Sequence, residues 1–282
     1  MLEPGRRVDA VAEVERNLEV WRDEWEWPEQ GDEWSAWWGG TPALWFGALL
    51  PRIHAFVPAG TILEIAPGYG RWTQYLKDLA EQLVVVDLTE DCIEHCRRRF
   101  AAADNIEYHV NDGRSLAMVP DETVDFAFSF DSLVHVDSDV LHGYVQQLGR
   151  KLTPDGVGFV HHSNAGRYRR LGALARRVPP RWLDPLARRG MLLHLSAWRD
   201  ETSTADGFAK ACDAAGLSCV GQEKINWEHG RYLIDTISVF TRRGSRWDRR
   251  RRVVSNPLFT NEARRMAELY SGRSFGAAPD DR

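Results

Sequence analysis

The chain has 282 residues, 43% of them hydrophobic and 27% charged, with a formal net charge of −5. This composition fits one globular domain with additions, or two small ones, and it supplies apolar residues enough for an independent core. The acidic balance argues against a general nucleic-acid binder, which is ordinarily basic, and no nucleic-acid partner is expected.

No secretory hydrophobic region follows Met1, so the cytoplasm is the expected compartment. Seven of the twelve tryptophans fall at Trp21, Trp25, Trp27, Trp34, Trp37, Trp38 and Trp45. A helix is expected over 9–27, then a loop punctuated by Gly31, Gly39 and Gly40, then a second helix opened by Pro42 and running toward Phe56. Residues 1–58 therefore read as a tryptophan-rich helical cap. The most apolar stretch, 43–57, is interrupted by Pro51, Arg52 and His54 and is too short to span a bilayer, so no transmembrane segment is expected.

From Gly60 the pattern alternates between apolar runs and helical segments. Strands are expected at 61–66, 83–88, 106–110, 124–130 and 156–162, with helices at 71–82, 90–100 and 136–152 between them. Residues 165–200, rich in Arg, Pro and Leu, read as a helical lid inserted after the fifth strand. A helix at 205–215 and strands at 218–226 and 232–241 follow, the last two close enough to pair as an antiparallel hairpin. The fold expected over 59–241 is α/β and Rossmann-like, with a mostly parallel seven-stranded sheet ending in an antiparallel strand.

The tail, 242–282, opens with seven arginines against one aspartate between Arg242 and Arg252, read first as a solvated linker. An anionic glycolipid, a membrane surface or an acidic segment of a partner subunit would also suit it, and a homo-oligomer is compatible with the sequence. One short helix is expected at 260–270. Cys92, Cys96, Cys212 and Cys219 show no zinc spacing and read as small apolar fillers.

The strongest local signal is Glu64-Ile65-Ala66-Pro67-Gly68-Tyr69-Gly70, where a strand ends, two glycines bracket one residue and a helix begins. Such a turn lets backbone approach a ligand closely and offers unpaired N–H groups to a carboxylate. Asp87 closes the next strand seventeen residues after Gly70, where an acid can accept bonds from ribose hydroxyls. A nicotinamide oxidoreductase fits these facts nearly as well. Three details weigh against it: Thr73 stands where the dinucleotide fingerprint has its third glycine, Asp112-Gly113 follows the third strand, and the sheet ends antiparallel.

Together with Asn111, the 125–131 segment and Leu152-Thr153-Pro154-Asp155-Gly156, these motifs resemble the ordered motifs of class I S-adenosylmethionine-dependent methyltransferases, apart from Ala66 where that family usually has Gly. The resemblance implies S-adenosylmethionine as cofactor. Ala66, Gly68 and Gly70 would line its methionine end, Asp87 would hold its ribose and Asp112 its adenine amine, with Glu64, Leu88, Gly113 and Phe130 also counted as cofactor-binding; Trp37 and Trp38, beside Gly39-Gly40, would close over it. Trp34 to Gly40, Phe130 to Val136, His161 to Asn164 and Leu233 to Asp235 resemble bacterial methyltransferases of glycan and glycolipid biosynthesis. That narrower likeness implies a sugar or glycan hydroxyl as acceptor, with other small molecules as the rival class.

A hydroxyl is protonated at neutral pH, so a general base is expected at the C-terminal edge of the sheet. His135, after the fourth strand, is the first candidate. His161 and His162 close the fifth strand on opposite faces, and His162 is preferred. Asp131 would orient a histidine, bind an acceptor hydroxyl or ligate Mg²⁺. Trp227 and Glu228, with Trp198, Arg199 and Asp200, are of types that bind sugars.

Overall fold

The computed structural model describes residues 14–175, 177–179, 181–182, 185–186, 199–227 and 232–270. Its centre is a single eight-stranded sheet in the order β3-β2-β1-β4-β5-β7-β6-β8. The strands are β1 (Ala59–Ile65), β2 (Ala80–Asp87), β3 (Ile106–Val110), β4 (Val124–Ser129), β5 (Leu152–Ser163), β6 (Leu217–Ile225), β7 (Asp235–Arg242) and β8 (Arg252–Asn256). Only β7 runs antiparallel to its neighbours, pairing His161 with Ile237 on one side and Lys224 with Thr236 on the other.

Among the described residues the sheet has eight strands, against the expected seven. The extra one lies within the arginine-rich tail, where Val253 and Val254 continue the ladder beside Gln222 and Glu223 in parallel. The helix expected over 71–82 is also shorter: it spans Thr73–Leu76, and β2 begins at Ala80 because Ala80 and Gln82 pair with Ala59 and Thr61. Residues 80–82 thus serve the ladder rather than the helix.

Two layers cover the sheet. On one face lie α5 (Ser138–Lys151) and α7 (Ala205–Ala214), whose Leu141, Tyr144, Leu148, Phe208 and Cys212 pack on Leu63, Val84, Ala127 and Val160. Asp137 and Thr204 cap these helices by accepting from the Val140 and Gly207 N–H groups, which explains where each begins. On the other face the cap packs Trp38, Leu44, Trp45 and Leu49 on Phe126, Phe128 and Phe159. Alternation along β4 and β5 produces this split, since Phe126 and Phe128 point one way and Ala127 the other.

The cap consists of α1 (Val14–Glu19), which continues as a π-turn over Val20–Glu24, a 3₁₀ turn at Asp32–Trp38, and α2, made of Thr41–Leu44, Trp45–Leu49 and Leu50–Ile53 in succession. Between the strands lie α3 (Thr73–Leu76) and α4 (Glu90–Arg99). The insert after β5 begins with α6 (Arg169–Ala175). The terminal α8 (Phe259–Tyr270) returns to the cap, and Arg52 pins it there through Glu262 (2.7 Å) while holding Glu223 of β6 (2.7 Å). Among the described residues, no helix is long and apolar enough to cross a membrane.

Candidate active site

The C-terminal ends of β1, β2, β3 and β4 meet at the glycine turn. Ala66, Gly68 and Gly70 all take positive φ (58°, 57° and 86°). At Gly70 a side chain would also collide with Phe100, whose Cε2 lies 2.5 Å from the position of a Cβ. Ala66 pays a steric penalty that glycine would not. Its carbonyl receives the Ser132 hydroxyl at 2.7 Å, which ties the turn to the exit of β4.

Three acids close the neighbouring strands, each in a different state. Glu64 is buried, and burial pushes its carboxyl up to about 8. Its Oε2 accepts from Thr73 Oγ1 at 2.6 Å, while Oε1 has no hydrogen-bond partner among the described residues. Asp87 accepts from the Gly68 N–H (3.2 Å) and from the N–H and hydroxyl of Thr89 (2.9 and 3.1 Å), and burial raises it to about 6. Asp112 is exposed. Its Oδ1 accepts from the Arg114 and Ser115 N–H groups, which hold it below the usual carboxylate range.

The cap lies directly over this turn. Trp27 stacks on Tyr69 at 4.5 Å and presses on Gly68, where a Cβ would stand 2.8 Å from its Cη2. Val14 fills the equivalent space at Gly113, where a Cβ would lie 2.7 Å from its Cγ1 and 3.1 Å from Leu88 Cδ1. Gly68 and Gly113 are therefore needed for close approach of the cap as well as for backbone conformation.

At the β4–β5–β7 edge a buried ionic network takes over. Asp131 has φ 66°, and its Oδ2 receives Arg71 at 2.8 Å while Oδ1 lies 3.6 Å from Arg199. Arg199 also holds both oxygens of Asp235, at 3.0 and 3.1 Å. Burial would raise the Asp235 carboxyl, but Arg199 and His161 hold it below its ordinary range. The Asp131 N–H donates to His161 Nδ1 at 3.1 Å. That bond leaves the His161 proton on Nε2, 3.4 Å from Asp235. Aromatic faces enclose the network: Phe130 and Trp227 stack on His161 at 4.5 and 5.0 Å, and Trp38 leans on Trp227 at 4.6 Å.

The preference for His162 needs correction. Strand alternation sends it to the opposite layer, where its ring lies on Phe208 at 4.3 Å and its nitrogens meet the Ser163 carbonyl and the Ser238 hydroxyl. Burial lowers it to about 4, so it is a neutral core histidine, and His161 occupies the site side. His135 stands in the turn after β4, its ring 5.4 Å from Trp21 and its carbonyl accepting from Asn17 of α1 at 3.1 Å. Phe130 and Trp38 lie in the aromatic wall. Both Asp131 oxygens, considered for Mg²⁺, face guanidinium groups. Among the described residues no group of three His, Cys, Asp or Glu side chains could hold a metal ion.

Trp198 and Glu228 lie outside the described residues. Sequence reasoning passed over Arg71 and gave Asp235 no role of its own. The position of Arg71 directly after Gly70 was a usable signal; nothing local marks Asp235, which is 72 residues downstream of Ser163 along the chain but its partner across the ladder.

Comparison with known proteins accords with this geometry. Residues 62–156 match a family model described as a methyltransferase domain. No curated protein matches the chain in sequence. The PH0226 protein of Pyrococcus horikoshii is similar in structure, at 21% identity and TM-score 0.50, over 69% of this chain and 88% of that one. A SAM-dependent methyltransferase of Methanosarcina mazei shares 17% identity over 69% of this chain and 98% of its own, with TM-score 0.50. The DhpI–SAH complex gives 19% identity over 81% and 96%, also at 0.50. Residues 62–156 thus match a methyltransferase domain, and the α/β Rossmann-like fold is one the chain shares with solved structures that include a SAM-dependent methyltransferase.

Proposed function

We propose that this chain is an S-adenosylmethionine-dependent methyltransferase that acts on a hydroxyl of a small polyhydroxylated acceptor, a sugar or glycan, with His135 as the general base. The observation that carries the reading is the pairing of a glycine turn with a buried polar edge. Asp87 binds the turn's own N–H, and Asp131, one strand away, lies between two arginines beneath stacked aromatic rings.

The residues present fit the cofactor. Glu64 Oε1 is buried and without a partner among the described residues, directly beneath the turn, and it suits an ammonium group. Asp87 keeps lone pairs on Oδ2 for ribose hydroxyls, and Asp112 is placed to take an adenine amine. When bound, S-adenosylmethionine supplies an electrophilic methyl group on a sulfonium sulfur.

The chain's own side chains then have separate tasks. Asp131, held by Arg71 and Arg199, orients acceptor hydroxyls, and the half-buried Trp227, backed by the buried Trp38, suits a sugar ring. Such positioning is worth roughly 7–11 kcal/mol of barrier. His135 removes the hydroxyl proton, a contribution of about 10²–10⁴-fold. Tryptophans of the cap exclude water from the turn. His161 is a positioning residue, since its Nδ1 already accepts from the Asp131 backbone.

Acceptor screening with radiolabelled cofactor tests the reading. Label transfer to sugars or glycolipids is expected, and transfer confined to phenolic or amine acceptors would refute it.

A further inference from the structure

We propose that α6 and the described residues that follow it as far as Trp182 form a docking surface for the headgroup region of an anionic phospholipid bilayer. The observation is an inverted helix. In α6, Gly172 and Ala175 face the protein body, whereas Leu171 and Leu174 point outward and are 41% and 55% exposed. Trp182, further along the same insert, is 53% exposed. A helix end packed for water would turn its leucines inward and leave small or polar residues outside.

Charge selects the partner. Residues 165–182 contain six arginines and no acidic residue. Arg167, Arg169, Arg170, Arg177 and Arg181 are all exposed, and among the described residues none of them pairs with a carboxylate. Exposed leucines, an exposed tryptophan and unneutralised arginines on one short segment match an interface with an apolar margin and a negative surface. An acidic protein would account for the arginines but leave the outward leucines unexplained, and the same holds for nucleic acid.

The position gives docking a consequence. The insert leaves β5 at the end that carries His161, and it is held there by the Gly166 N–H on the Ser203 carbonyl (3.1 Å) and by Tyr168, whose hydroxyl accepts from the Leu233 N–H (3.2 Å). A bilayer bound to α6 would therefore face the same sheet edge as the acceptor network. Docking itself does not depend on methyl transfer, so a binding assay separates this inference from the proposed function.

The experiment is co-sedimentation of the full chain with vesicles of phosphatidylcholine alone or mixed with phosphatidylglycerol, at low and high salt. Pelleting with the mixed vesicles alone, weakened by salt, is expected. The R169S/R170S variant should partition about 30-fold more weakly, from roughly fivefold per arginine near an anionic surface. The L171S/L174S variant should also lose binding, while S-adenosylmethionine binding measured in solution stays unchanged in both because neither pair touches the glycine turn or the ionic network. Equal pelleting with both vesicle types would overturn the inference, as would no pelleting, or retention on polyglutamate or DNA without vesicle binding. Loss of binding on substituting Arg249 to Arg251 of the tail, with R169S/R170S unaffected, would overturn it as well.

Discussion

Replacing Arg199 with methionine is the most demanding perturbation of the site. Arg199 is buried and contacts two carboxylates, Asp235 at 3.0 Å and Asp131 at 3.6 Å. Its removal leaves Asp235, fully buried in the β5–β7 ladder, with His161 at 3.4 Å as its one remaining charged partner among the described residues. Breaking a buried pair from one side costs about 3–5 kcal/mol, because an uncompensated charge stays in a low-dielectric interior. For a domain of this size that corresponds to a fall in Tm of roughly 6–20 °C. Urea denaturation of Arg199→Met, Asp235→Leu and the double variant forms a cycle in which the double variant should recover most of the loss, since apolar residues of similar volume replace the whole pair. If Arg199→Met unfolds within about 1 kcal/mol of the parent, the ionic network does not hold the edge together and the reasoning fails.

Three further outcomes follow from the site. Glu64 has a folded pKa near 8 against an ordinary 4.5, so it resists ionisation in the fold, and its contribution to stability falls as pH rises from about 4.5 to 8; Glu64→Gln should flatten that decline in urea midpoints. His162, lowered to about 4, has the opposite sign: the unfolded chain takes up the proton first, so stability is lost as pH falls from about 6.5 to 4, and His162→Gln should reduce this acid lability without a selective effect on turnover. Asp87→Ala should weaken cofactor binding by about 1.5–3 kcal/mol for each charge-assisted hydrogen bond lost, and His135→Ala should lower turnover by about 10²–10⁴-fold with cofactor affinity retained; calorimetry and steady-state rates separate the two.

The alternating strands were legible because apolar β-branched runs bounded by turns depend on nearest neighbours alone. The glycine turn was legible for the same reason, since Gly68 and Gly70 are needed where the backbone takes positive φ. What was not legible depends on long-range pairing. β8 exists only because β6 offers a free edge to Arg252–Asn256, in a segment whose arginines read as linker. Asp235 acquires its role from Arg199 and His161, which are distant along the chain. The choice between His161 and His162 turned on strand parity, and here Phe159 beside Phe128 supplied the answer: residues of that parity face the cap, and His161 shares it. The seating of Trp27 on Gly68 and Val14 on Gly113 was likewise invisible, because composition does not say where a cap lands.

Calorimetric titration of the purified chain with S-adenosylmethionine, and separately with NAD, tests the central claim most directly. Saturable one-to-one binding of the sulfonium cofactor, weakened in Asp87→Ala, is the predicted result. Tight binding of NAD with no heat from S-adenosylmethionine would contradict the account.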